Sequence, residues 1–195
     1  MSLTSYRAFV MAVDRVERRL REVTGALGRE GIPYAVVGGN AVAAWVSRAD
    51  PSATRTTKDV DLLVNRRDLE PITRVMKTLG FEREDLRSLV MFIDPEEPSR
   101  RAGVHLIWAG ELVRPSYACP APMVSESVTD PQGFSVLDLP ALVRMKLTSL
   151  RDIDRVHIAD LARVGLIDES VRASLPDALR ARLDEIVATI DDDQP

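Results

Sequence analysis

Cysteine is all but missing: Cys119 is the one thiol in 195 residues, and only two histidines accompany it. An intramolecular disulfide is therefore excluded, and so is a Cys/His zinc-ligand set. Aromatic residues make up 5% of the chain, and no run of them forms a stacking platform for single-stranded nucleic acid. Basic charge is not in excess, since 26 Lys+Arg stand against 30 Asp+Glu for a net charge of −4. That excludes a protein-wide positive field, so any contact with nucleic acid has to use a local patch. No window approaches the roughly 18 consecutive apolar residues of a membrane span, and Met1 to Val10 lacks the basic-then-apolar order of a signal peptide. A reducing, cytoplasmic setting without membrane insertion is the expectation. What is present is 45% apolar and 29% charged residues, enough for a real core in one domain with at most a small appendage.

The apolar pattern divides the chain. Val13, Val16, Leu20, Val23 and Leu27 recur at helical spacing, so an amphipathic helix is expected over Phe9 to Leu27, stopped by Gly28 and Gly31-Ile32-Pro33. Tyr34 to Val37 reads as a short buried strand running into Gly38-Gly39, followed by a helix from Ala41 to Val46 capped by Asn40. A Pro-bearing loop leads to a second strand, Val60 to Val64, and Asp68 reads as the cap of a helix that Gly80 ends. Leu89 to Ile93 and Val104 to Trp108 resemble a hairpin, whereas Gly110 to Gly133, with four prolines, reads as loop with one short edge strand. Helical spacing resumes from Asp138 through Leu150, then over Val156 to Val164 and Leu175 to Ile190, and Asp191-Asp192-Asp193 reads as a solvated tail. An α+β fold follows: a mixed sheet flanked by helices over 1–137, with a helical part, 138–195, packed on it.

Several residues carry chemistry. Alternation along Val60, Leu62 and Val64 sends Asp59 and Asp61 to the opposite face, with Cα atoms roughly 6.5 Å apart. Two carboxylates so placed can share divalent cations, the usual clamp for nucleotidyl transfer. Upstream, a buried strand runs through Gly38-Gly39 into a helix whose first amides lack partners, an end that attracts phosphate. A dinucleotide fold would need Gly-x-Gly-x-x-Gly there, and Val37 to Val42 does not supply it. Lys146 falls on the apolar arc between Leu142 and Leu150, so its ammonium is expected either to snorkel to an edge or to meet Asp59, Asp61 or a phosphate in a cleft. Asp154, His157 and Asp160 share its side if the helix continues, and a kink near Arg151 is the alternative. His105 stands in an apolar strand, where a histidine is more often a satisfied core residue than a ligand, and Trp45 and Trp108 read as core or interface packing.

Gly38-Gly39-Asn40-Ala41 followed by Arg55-Thr56-Thr57-Lys58-Asp59-Val60-Asp61 resembles the polymerase-beta-like nucleotidyltransferase superfamily, and most of all its AbiEii-type branch of type IV toxins. The likeness extends from about Tyr34 to Asp168 and includes Leu139 to Lys146 and Arg151 to Asp160. It implies a Mg²⁺-dependent transfer of a nucleoside monophosphate from an NTP to an acceptor hydroxyl, on RNA, tRNA ends or a small molecule, and an antitoxin partner. On that resemblance Gly38, Gly39 and Asn40 hold the nucleotide with Arg55, Thr57 and Lys146, Asp59 and Asp61 bind Mg²⁺, and Arg151 and Asp154 support the site. Many relatives carry Ser where Gly39 stands, so one phosphate contact is lost here. The third carboxylate of the family falls on Val104-His105-Leu106, so His105 takes its place, on a strand beside Val60 to Val64, and leaves the two-ion site short of a hard ligand. Two other readings stay open: a nucleotide-binding or partner-binding module of the same fold that has lost turnover, and an interaction protein using its long N-terminal helix.

Overall fold

The computed structural model describes residues 3–86 and 89–192. Its first helix, α1 (Leu3–Arg29), is longer than the expected span and runs through Gly28 rather than ending there. A glycine costs only about 1 kcal/mol inside a helix, and the buried stripe of Leu20, Val23 and Leu27 holds the element in place. The chain turns instead at Gly31, with φ at +64°.

β1 (Tyr34–Val37) is buried at every position, and α2 (Gly38–Ala49) begins at once. This corrects the expected cap: Val37 stands at the capping position without a side-chain hydrogen bond, and Asn40 lies in the first turn. The Asn40 amide donates to the Asp59 carbonyl at 2.7 Å instead, tying α2 to the segment before β2 (Val60–Val64). α3 (Leu69–Thr78) follows, burying Ile72 and Met76.

β4 (Leu89–Ile93) pairs antiparallel with β5 (Val104–Trp108), with Val90 opposite Leu106, as their composition suggests. β3 (Glu82–Leu86) pairs on the outer side of β4 and is not announced by any apolar pattern. Its Glu-Arg-Glu-Asp-Leu sequence belongs to a sheet edge, where charge discourages pairing with another chain. β6 (Ser127–Thr129) is the short edge strand expected in the proline-rich region. β7 (Ser135–Leu137) is an addition, too short for alternation to be read, and runs parallel to β1 with Val36 opposite Val136. The result is one mixed sheet in the order β3-β4-β5-β2-β1-β7-β6.

α4 (Leu139–Ser149) is capped by Asp138, whose carboxylate accepts from the Ala141 amide at 2.8 Å. Leu150 adopts a left-handed φ of 47°, breaking the helix before α5 (Asp152–Arg163), which starts earlier than its apolar pattern indicates. A short α6 (Glu169–Ala173) precedes α7 (Asp177–Asp192). The tail expectation is corrected in part, since the helix reaches Asp192; Asp193 lies outside the described residues. One apolar cluster extends from Leu20 through Val36, Leu62 and Leu106 to Leu142, Ile158 and Leu183. No described helix is long and apolar enough to cross a membrane.

Candidate active site

The three central strands carry the site. Val37 at the end of β1 is opposite Asp61, and Asp61 is opposite His105 on β5. The turn after β1, the carboxylate and the imidazole therefore stand in a row across strands about 4.8 Å apart. Gly38 has φ at +68°, and a Cβ there would lie 2.0 Å from Asp61 Oδ2; one on Gly39 would lie 2.9 Å from Thr57 Cβ. The two glycines let Asp61 and Thr57 reach the backbone where α2 begins.

Thr57 Oγ1 donates to Asp59 Oδ1 at 2.6 Å. His105 Nδ1 is 3.1 Å from Asp61 Oδ1 and 3.7 Å from Asp59 Oδ2, and its Nε2 is 2.8 Å from the Arg100 carbonyl. Ligand-capable atoms of Asp59, Asp61 and His105 all lie within 4.8 Å of one another, the one such grouping among the described residues. Their side chains are 33%, 22% and 15% exposed, so a small ion or ligand can reach them. The hydrogen bond with Asp61 is the main influence raising the His105 pKa above its usual value; burial opposes it, and the Arg100 carbonyl and both aspartate charges add to it. Reading His105 as a core histidine is thereby corrected: alternation along β5 turns it to the same face as Asp61, away from Val104 and Leu106.

Lys146 is buried, as its helical phase requires, but its ammonium pairs with Asp154, at 3.1 Å. The expected pairing with Asp59 or Asp61 is not formed, because the break at Leu150 folds α5 back on α4 and brings Asp154 to the ammonium first. Asp154, fully buried, also accepts from Ser149 Oγ at 2.7 Å and from Arg151 N, Nε and Nη2 at 3.1, 2.8 and 3.2 Å. Burial is the largest single influence and pushes its carboxyl up, yet the Arg151 hydrogen bond, the Lys146 charge and the Ser149 hydroxyl together hold it well below the usual carboxylate range. Arg151 also feels the charge of Asp61, which links this network to the metal-type cluster. Arg55 points to α5, where its Nε meets Asp160 at 2.5 Å.

His157 sits beside these groups, with Nδ1 buried and unpartnered. Burial, and next the charge of Lys146, push its pKa down from 6.5 to about 4. The unfolded chain takes up this proton near 6.5 and the folded chain only near 4, so the neutral imidazole favours folding above that window. That advantage is lost as the pH falls across it. In urea unfolding, the stability of the native protein relative to His157→Gln should drop by about 3 kcal/mol between pH 7 and pH 4; a difference that stays flat would contradict this.

A cavity of about 100 Å³ lies on the β5 side, lined by Ile107, Tyr117, Cys119, Met145, Ser149 and Arg151 among others. Ser149 and the Arg100 carbonyl are contributors that sequence reasoning misses. Ser149 lies one helical turn after Lys146, a detectable signal, whereas a backbone carbonyl leaves none.

A mixed sheet with a Gly-Gly turn and an Asp-x-Asp strand side by side at its centre defines a nucleotidyltransferase-like fold. The chain belongs to the family described as "Uncharacterised nucleotidyltransferase", whose profile matches residues 3–116. Solved structures of similar fold include the solution structure of the antibiotic-resistance factor ANT(2'')-Ia, at 19% identity and TM-score 0.58 over 93% of this chain and 97% of that one. The crystal structure of ANT(2'')-Ia with adenylyl-2''-tobramycin matches at 18% identity and TM-score 0.57, over 88% and 98%. An antigenic nucleotidyltransferase-like protein from Paracoccidioides brasiliensis matches at 17% identity and TM-score 0.60, over 93% and 91%. No curated protein matches the sequence.

Proposed function

We propose that the chain is a divalent-cation-dependent nucleotidyltransferase that moves an NMP from an NTP to an acceptor hydroxyl, in the cytoplasm. The observation that carries this reading is the convergence of Asp59, Asp61 and His105 beside the Gly38-Gly39 turn, at a helix start without a side-chain cap. Two carboxylates within reach of each other fit a dication, with Asp59 and Asp61 to hold it. A cation held by Asp59 and Asp61 would neutralise the charge of the nucleotide phosphates beside the carboxylates.

The amides at the start of α2, with Asn40 and Thr57 fixing the loop around them, receive the β- and γ-phosphates, and the part-exposed Arg151 and Arg55 supply positive charge, while Lys146 holds Asp154, to which Arg151 bonds. The acceptor oxygen bonds to the α-phosphorus, the bond to the bridging oxygen breaks, and pyrophosphate leaves with its electron pair; the hydroxyl proton passes to a carboxylate of the pair. In-line displacement puts acceptor and pyrophosphate on opposite sides. With pyrophosphate at Gly38-Gly39, the acceptor approaches from the far side of the carboxylates, and the cavity lined by Ile107 of β5 and by Arg151 is the candidate space for it. Its lining holds the cation Arg151 and no carboxylate. This favours a neutral or anionic acceptor, RNA or a tRNA end, over a polycationic aminosugar such as that in the ANT(2'')-Ia complex. On this reading residues 1–137 carry the site and 138–195 close it, and an AbiEii-type toxin with an antitoxin partner is the matching role. A second reading, a nucleotide-binding or partner-binding module without turnover, is favoured by one observation, His105 on the strand where a carboxylate is expected.

The test is incubation of the protein with Mg²⁺ or Mn²⁺, each α-labelled NTP, and either total RNA or a set of small hydroxyl compounds including tobramycin. Label transferred to RNA with pyrophosphate released is the expected result. Nucleotide binding without transfer to any acceptor would select the second reading.

A further inference from the structure

We infer that Asp59, Asp61 and His105 form a site for a first-row transition dication of the Mn²⁺ or Co²⁺ type, with His105 Nδ1 as a ligand, in preference to Mg²⁺. The inference rests on the reading of the cluster as a cation site, and adds to it a ligand and a metal class.

It starts from the other ring nitrogen. His105 Nε2 is 2.8 Å from the Arg100 carbonyl, which can only accept, so Nε2 carries the hydrogen. In the neutral ring the lone pair is then on Nδ1, and Nδ1 faces Asp61 Oδ1 at 3.1 Å and Asp59 Oδ2 at 3.7 Å. Asp59 Oδ1 is already engaged by the Thr57 hydroxyl. Asp61 Oδ2 packs against Gly38. The oxygens turned toward the imidazole are thus the ones without another hydrogen-bond donor. Three electron-pair donors converging in this way repel one another unless a positive charge lies between them, either a proton on Nδ1 that hydrogen-bonds to Asp61 or a metal cation in its place.

The carbonyl contact is the means by which metal-binding histidines are held in one tautomer and orientation. The strand register adds rigidity, since Asp61 and His105 are partners across a parallel pair. The donor set then decides the ion. Mg²⁺ prefers oxygen ligands in a regular octahedron and gives up water reluctantly, whereas the first-row dications bind a site of mixed nitrogen and oxygen ligands with an affinity that rises from Mn²⁺ to Co²⁺ and beyond.

The test uses the full chain with metal alone. Calorimetry measures Mn²⁺ and Mg²⁺ affinities for the native protein and for His105→Asp, and pulsed electron paramagnetic resonance looks for ¹⁴N coupling to bound Mn²⁺. The expected result is a Mn²⁺ to Mg²⁺ affinity ratio about tenfold higher in the native protein than in His105→Asp, together with an imidazole nitrogen signal in the native protein. If the variant does not fold, the nitrogen signal alone decides. An equal ratio without nitrogen coupling overturns the inference. So does a native protein that takes up neither ion, which would make a protonated His105 the cation of the site. Nucleotide transfer with Mg²⁺ but no nitrogen ligand would overturn this inference and leave the proposed function standing; nitrogen-bound Mn²⁺ in a protein without nucleotide affinity would do the reverse.

Discussion

A chain carrying Asp59→Asn and Asp61→Asn together is expected to lose nucleotide affinity in the presence of Mg²⁺ or Mn²⁺, with any transfer activity falling by about 10³-fold or more. A cation held at developing phosphate charge contributes several kcal/mol, and ~4 kcal/mol corresponds to about 10³ in rate. Folding should survive. Both side chains are part-exposed, and an Asn oxygen at each position can still accept from Thr57 or a protonated His105. The melting temperature is expected to stay within about 4 °C of the native value. Calorimetry with each cation and NTP, beside a thermal melt, makes the measurement. Nucleotide affinity equal to that of the native protein would remove these residues from the site.

Asp154→Ala is expected to act in the opposite way, on stability before function. Lys146 is 4% exposed and Asp154 is fully buried, so truncation leaves an ammonium in the interior without its counter-charge. Breaking such a pair costs about 3–5 kcal/mol. Ser149 and Arg151 lose their acceptor as well. Lys146→Met with Asp154→Leu should recover most of that loss, because it removes both charges and keeps the volume filled. Urea unfolding at pH 7 of the native protein, the single variant and the double variant decides it. A loss below about 1 kcal/mol in Asp154→Ala would mean that the pair behaves as an exposed one.

Much of the arrangement is legible in the sequence because it is local. Tyr34 to Val37 is a strand bounded by glycine, and its exit at Gly38-Gly39 needs residues without side chains, as the contacts of Asp61 and Thr57 with them explain. Period-two alternation turns Asp61 away from Val60 and Leu62, whereas Asp59 lies in the bend before β2, not in the strand as expected, and is held there by Asn40 on its carbonyl and Thr57 on its carboxylate. The helical phase of Lys146 is enough to bury it. Where local pattern misleads, a tertiary contact has replaced it. Asn40 has the chemistry of a cap, yet its amide bonds to the Asp59 carbonyl of a segment 19 residues away. β3 has no apolar pattern because its neighbours lie on one side only, and β7 is defined by its pairing with β1 rather than by its three residues.

By itself the sequence determined the secondary elements that frame the site, the need for glycine at the turn after β1, the face that Asp61 presents, and the inward direction of Lys146. Each follows from torsional freedom or from the helical and strand periods, which act over a few residues. Only the tertiary structure decided that His105 would stand 3.1 Å from Asp61, 44 residues earlier in the chain, with the Arg100 carbonyl on its other nitrogen. It alone decided that Lys146 would meet Asp154 and that Arg55 would meet Asp160. The reason is that strand order and helix docking are selected by burial of the whole core against the cost of closing long loops, a balance to which the residues between the partners contribute as much as the partners themselves.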